Sequence, residues 1–382
     1  MNDRQRFLAT MSFQPVDRAP LYDFNFWDET VPEWHKQGMP PEVTRENAHR
    51  YFGLDASLAG GDQGWECRAN VELSPGFEYR VIEDRGDHEV VQQWDGVRVL
   101  RRKFMSSIPQ HEAHLLEDRA GWEKHYKWRF DPNHPLRWQN FEAKVAKWQA
   151  IVDDPLFVNA GSLFGRIRDL MGMEGVSLCV YDDPVLFEEM VVTRTECILG
   201  VLKRVLATGV QFHAAGMWED MAYNAGPLLS PEHFKRFLVP QYKRITELLR
   251  TYHVNVIWVD CDGKIDVLIP LWLDAGVNCM FPIEIGTWGA DPIKLRQQYG
   301  KSLLMMGGFD KHVLQDSPRR IEAEIRRLAP LVESGGFIPM PDHRVPPDVP
   351  LDNYVFYCQK VREVWGKNVN LKPMEACLKN RQ

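Results

Sequence analysis

The stretch VNVIWVDCDGK, residues 254–264, decides how the rest of the chain is read. An apolar run of strand length (Val254, Val256, Ile257, Val259) stops at Asp260-Cys261-Asp262-Gly263, and a helical pattern follows. Residues two apart in a strand share a face, so Asp260 and Asp262 are expected to project together from the strand's end. Paired carboxylates at the mouth of a buried strand are costly unless they bind a cation, accept hydrogen bonds or move protons. The spacing predicts an active-site edge, with Cys261 turned the other way into the wall.

The same alternation of strand and helix extends on both sides. Strands are predicted at 156–161, 210–215, 254–259, 277–282, 302–307 and 337–340, and helices at about 183–207, 231–252, 265–275, 291–299, 317–333 and 350–365. Repeated β–α units of this length imply parallel strands joined by right-handed crossovers. Polar groups follow strand after strand: Arg166, Glu219-Asp220, Asp260 and Asp262, Glu284, Asp310, Asp342-His343. An open sheet concentrates function at one switch point, whereas a barrel brings every strand end to one mouth. Convergence therefore favours a closed α/β barrel over residues 151–366. The text before it, 21–150, is irregular and reads as a cap packed on the barrel. Within it, 78–101 (EYRVIEDRGDHEVVQQWDGVRVLR) reads as hairpins turning at Arg85-Gly86-Asp87 and Asp95-Gly96. Residues 1–382 are taken as one domain.

Composition narrows the function. A formal net charge of −7 gives no support to nucleic-acid binding, which needs a basic patch. No G-x-G-x-x-G follows a strand, and no apolar run approaches the ~20 residues of a membrane span. A cytoplasmic protein is the expectation. The seven cysteines are scattered without a CxxC pair, which predicts reduced thiols.

Several segments carry a family resemblance: RQRFLATMSFQPVDRAP (4–20), GPLLSPEHFKRFLVPQYKRITELL (226–249), MMGGFDKHVLQ (305–315) and GGFIPMPDHRVPPDVPLDNYVFY (335–357). Together they resemble the uroporphyrinogen decarboxylase superfamily. That resemblance implies a distorted (β/α)8 TIM-type barrel and two broad activities, porphyrinogen decarboxylation and zinc-assisted methyl transfer to or from a corrinoid protein. Against the first, segment 19–44 lacks the arginines of the family's R-Q-A-G-R pattern and holds a single lysine, Lys36. A polyanionic porphyrinogen needs paired cations. For the second, the family's H-x-C and later Cys positions fall here on Asp260, Asp262 and His343.

The expectation is thus a methyltransferase that demethylates a small ether or amine and passes the methyl to the cobalamin of a corrinoid protein. The expected metal site is Asp260, Asp262 and His343. Its oxygen-rich donors would hold zinc less tightly than thiolates and would also accept Mn²⁺ or Fe²⁺. Asp260, Asp262, Glu219 and Asp220 are the catalytic candidates. Arg166, Arg168, Glu284, Asp310 and Asp342 are the candidates for substrate contact, Asp310 from a supporting position. Decarboxylation of a small carboxylate and a non-catalytic binding role stay open, as does a homodimer. Plainer roles exist for each residue: Asp262 as the cap of a helix near Lys264, His343 as an ordered loop residue, and Arg166 and Arg168 as partners of acidic strand ends.

Overall fold

The computed structural model describes residues 1–58, 60–62, 66–103 and 109–376. Its strands, in chain order, are β1 (Tyr22–Asp23), β2 (Ala56–Ser57), β3 (Glu66–Cys67), β4 (Arg80–Arg85), β5 (His88–Gln92), β6 (Arg98–Arg102), β7 (Gln110–Ala113) and β8 (Phe157–Asn159). They continue with β9 (Ala214–Trp218), β10 (Ala222–Tyr223), β11 (Gly226–Pro227), β12 (Val256–Asp260), β13 (Cys279–Ile283), β14 (Leu304–Phe309) and β15 (Phe337–Pro341). A parallel sheet runs β15-β14-β13-β12-β9-β8-β3, and β1 pairs in parallel with β2.

These two sheets enclose one interior. Every second residue of the long strands points inward: Phe157, Ala214, Val256, Phe281, Met306 and Ile338 join Tyr22, Phe24 and Ala56 of the short pair in one buried cluster. Phe7 and Met11 of the helix Asp3–Met11 complete that cluster. The ring is drawn together beyond β15, where Trp27 N donates to Val345 O at 3.1 Å and Val345 N donates to Asn25 O at 3.0 Å. The architecture is the expected distorted barrel, although the described backbone pairing does not pass from β2 to β3. Intervening positions such as Val158, Ala215, Ile257 and Val259 face the helices, which is why these strands are apolar on both faces.

Most predicted elements lie within two residues of their observed bounds. Strand β9 begins at Ala214 and not at Val210. A Cβ at Gly216 would lie 2.5 Å from the Trp258 ring, so the strand pairing there requires glycine. The predicted helix at 265–275 shrinks to Ile269–Asp274. In the cap, the hairpins form as read and gain a fourth strand, so β4-β5-β6-β7 make an antiparallel sheet. The six described cysteines are buried and none is in a disulfide, as the scattered spacing predicted, and Cys377 lies outside the described residues. No described helix is long and apolar enough to cross a membrane.

Candidate active site and metal-binding group

Parallel register sets the floor of the mouth. Asp260 stands opposite Trp218 of β9 on one side and Phe281 of β13 on the other. Phe281 belongs to the interior cluster, and register partners share a face, so Asp260 and Trp218 also face inward. No described side chain or backbone group donates a hydrogen bond to the Asp260 carboxylate. Phe24 packs on Phe281 with ring centroids 4.5 Å apart and meets His343 at 5.2 Å, while Trp27 lies 5.5 Å from His343 on its other flank. The mouth is an aromatic collar around a carboxylate.

Beyond β12 the chain turns through Gly263, whose φ of +89° suits glycine and whose Cβ position would be 2.7 Å from the Ala222 backbone. This close approach brings Asp262 among four other polar side chains. Asp262 Oδ2 lies 3.2 Å from His343 Nε2, and Gly263 N donates to Glu284 Oε2 at 2.7 Å. Ligand-competent atoms of Asp262, Glu284 and His343 all lie within 4.8 Å of one another, and so do those of Asp220, Asp260 and Asp262. Asp262 belongs to both groups, with Asp260 in one and His343 in the other. The other oxygen of Asp262, Oδ1, is buried without a hydrogen-bond partner. Asp262 caps no helix, because the next one starts only at Ile269.

Crowding raises the affinity of these acids for protons. Burial, reinforced by Asp262 and then Asp220, holds the Asp260 carboxyl well above the usual range. Burial and Asp262 push Asp220 up to about 6 against the pull of Arg168. Glu284 is raised by burial and by Asp262, with the Gly263 N–H opposing. A cluster of this kind holds protons, a cation or both.

Other candidates are occupied elsewhere. Glu219 is fully buried and accepts from Leu163 N and Gly165 N, each at 2.8 Å, so it ties the loop after β8 to the end of β9. Asp342, also buried, accepts from Ile285 N, Gly286 N and Lys311 N at 2.7, 3.2 and 3.0 Å and thereby joins three strand ends. Asp310 accepts from His312 N and pairs with His312 Nδ1 at 2.8 Å. Arg166 Nε binds Glu72 at 2.8 Å, and Arg168 binds Asp169 at 2.9 Å and the Asp220 carbonyl. Both guanidinium groups lie over Trp218, at 5.7 and 5.3 Å. Sequence reading missed the collar residues Phe24 and Trp27, since β1 is too short to give an alternating signal.

The donor set fits a divalent ion. Two carboxylates and an imidazole are competent ligands, and the buried, unpartnered Asp262 Oδ1 is the orphaned acceptor that such an ion would satisfy.

The family model of uroporphyrinogen decarboxylase (URO-D) matches residues 146–364. No curated protein matches the chain. Among solved structures, a methyltransferase from Methanosarcina mazei has a similar fold, with a TM-score of 0.59 and 15% sequence identity over 95% of this chain and 99% of that one. The segments that resembled the family, the barrel they predicted and the family match over residues 146–364 agree, and the chain belongs to the uroporphyrinogen decarboxylase family.

Proposed function

We propose that this protein is a methyltransferase component that takes a methyl group from a small methylated ether or amine and delivers it to the cobalamin of a separate corrinoid protein. The observation that carries the reading is the convergence of ligand-competent atoms of Asp262, Glu284 and His343 within 4.8 Å of one another, on an aspartate whose other oxygen is buried without a partner. These three would hold a divalent ion, zinc by the family resemblance, with Glu284 standing where Asp260 was expected. Such an ion, when bound, supplies a Lewis acid that makes the substrate heteroatom a better leaving group. Asp260 lies at the collar and orients the substrate. Asp260, whose carboxyl is held well above the usual range by burial and then by Asp262, gives its proton to the departing oxygen or nitrogen, which retains the bonding electron pair. The methyl group leaves without those electrons, toward a reduced corrinoid on the partner. Phe24, Trp27, Trp218 and Phe281 line the path and keep water from it.

A second reading draws on the Asp260 geometry. An acid without a protein partner, held protonated among aromatic rings, suits a decarboxylase that protonates the carbanion left by loss of carbon dioxide. Single-turnover methylation of reduced cobalamin, followed by absorbance with methoxylated compounds and methylated amines as donors, separates the two. Cobalamin methylation supports the proposal; carbon dioxide release from a carboxylic acid panel, with no methylation, replaces it. Silence in both assays points to a non-catalytic binding relative.

Metal content is a separate test. Untagged protein is expected to hold about one divalent ion per chain, and Asp262→Ala or His343→Ala to lose most of it. Equal metal in wild type and both variants would remove the site.

A further inference from the structure

At the end of the barrel opposite the mouth, a second cavity of about 530 Å³ opens between the helix Asp3–Met11 and the first residues of β12 and β14. Its lining contains no carboxylate, although the chain carries a net charge of −7. It contains Arg4, Lys301, His213 and His253. Lys301 Nζ is held at the rim, 5.1 Å from the Phe13 ring centre. Arg4 is anchored by Nε on the Asp154 carbonyl at 3.2 Å and by an Nη on the Ile151 carbonyl at 2.7 Å, which fixes its guanidinium at the cavity wall.

His213 gives the cavity a directed donor. It is 7% exposed and sits just before β9, where its backbone N donates to Leu156 O at 2.8 Å and its Nδ1 accepts from Leu156 N at 3.0 Å. A ring whose Nδ1 accepts an N–H carries its own proton on Nε2. That Nε2–H finds no acceptor among the described residues, and the ring borders the cavity. A buried histidine with its outer donor unspent, beside the two cations Arg4 and Lys301 that line the same cavity, is a preorganised anion contact. Leu8, Met11, Phe212 and Leu304 form the rest of the wall, so the space takes an apolar body as well as a charged head.

From this geometry we infer that the cavity binds a small organic anion, a carboxylate or phosphate monoester with an apolar tail, at a site separate from the barrel mouth. The head contacts His213 Nε2, Lys301 and Arg4, and the tail lies along Leu8 and Met11.

Titration calorimetry of the full chain with octanoate, hexyl phosphate, octanol and hexylamine tests this. Saturable binding is expected for octanoate or hexyl phosphate, whichever headgroup the site prefers, and not for hexylamine. Lys301→Glu reverses an exposed charge without touching the core and should weaken the anion about tenfold, roughly the effect of 1.4 kcal/mol. His213→Asn keeps an acceptor for Leu156 N but removes the Nε2 donor, and should weaken it too. Octanol binding as tightly as octanoate, no binding of either anion at millimolar concentration, or unchanged affinity in Lys301→Glu would each overturn the assignment.

Discussion

Asp260 and Glu219 are two acids at neighbouring strand ends with opposite fates. Glu219 spends both oxygens on backbone N–H groups of the loop after β8, so it acts as a loop anchor. Glu219→Gln would set an amide donor against one of those donors, and is expected to lower unfolding stability by about 2–3 kcal/mol in denaturant titrations. Asp260 has no such commitment. Asp260→Asn is nearly isosteric and cannot deliver a proton, so it should cut the methyl-transfer rate by about 100-fold or more while leaving affinity for the corrinoid protein within about twofold. Equal losses of rate and association would place Asp260 at the docking rim instead.

At the scale of elements, the lead into β9 shows how a histidine locks two strands. His213 is held neutral, its pKa lowered to about 4 by burial and then by Arg4. The unfolded chain, with a histidine near 6.5, binds more protons between these values, so stability rises with pH through that window and is lost as pH falls. Going from pH 7 to pH 5 should cost about 2 kcal/mol through this residue. His49, also lowered to about 4 by burial, adds its own slope, so the measurement is the difference between wild type and His213→Asn. Thermal melts of the variant should show a shallower acid loss; parallel curves would exclude His213 as a source of the slope.

The whole molecule sets what can enter the mouth. Uroporphyrinogen brings several carboxylates, yet Arg166 and Arg168 are already paired with Glu72 and Asp169. Arg18, just before the arginine-free segment, is buried in a two-pronged pair with Asp55 at 2.6 and 2.7 Å. The mouth itself presents Asp220, Asp260, Asp262 and Glu284. A decarboxylation assay with product analysis should therefore detect no uroporphyrinogen turnover, because the substrate charges would be buried unpaired among like charges. Turnover at about 1 per second or faster, the usual enzymatic range, would reverse the ranking of the two activities.

The repeating β–α pattern, the barrel and the acidic edge at Asp260 and Asp262 were legible in the sequence, because apolar periodicity and the residue after each strand are local properties. The family's segments were legible for the same reason. Pairing across the fold was not. Which donors gather around Asp262 depends on how far the turns after β13 and β15 reach, and on how closely the turn after β12 packs, as at Gly263 against Ala222. Glu284 and His343, 59 residues apart in sequence, therefore became neighbours only through the closure of the barrel. Likewise Glu219 and Asp220 read alike as an acidic pair, and only tertiary structure separates them, by offering two N–H groups to one and an acidic neighbour to the other. The sequence alone determined which residues lie at strand ends; the closure of parallel strands, whose partners are distant in the chain, decided which of them meet.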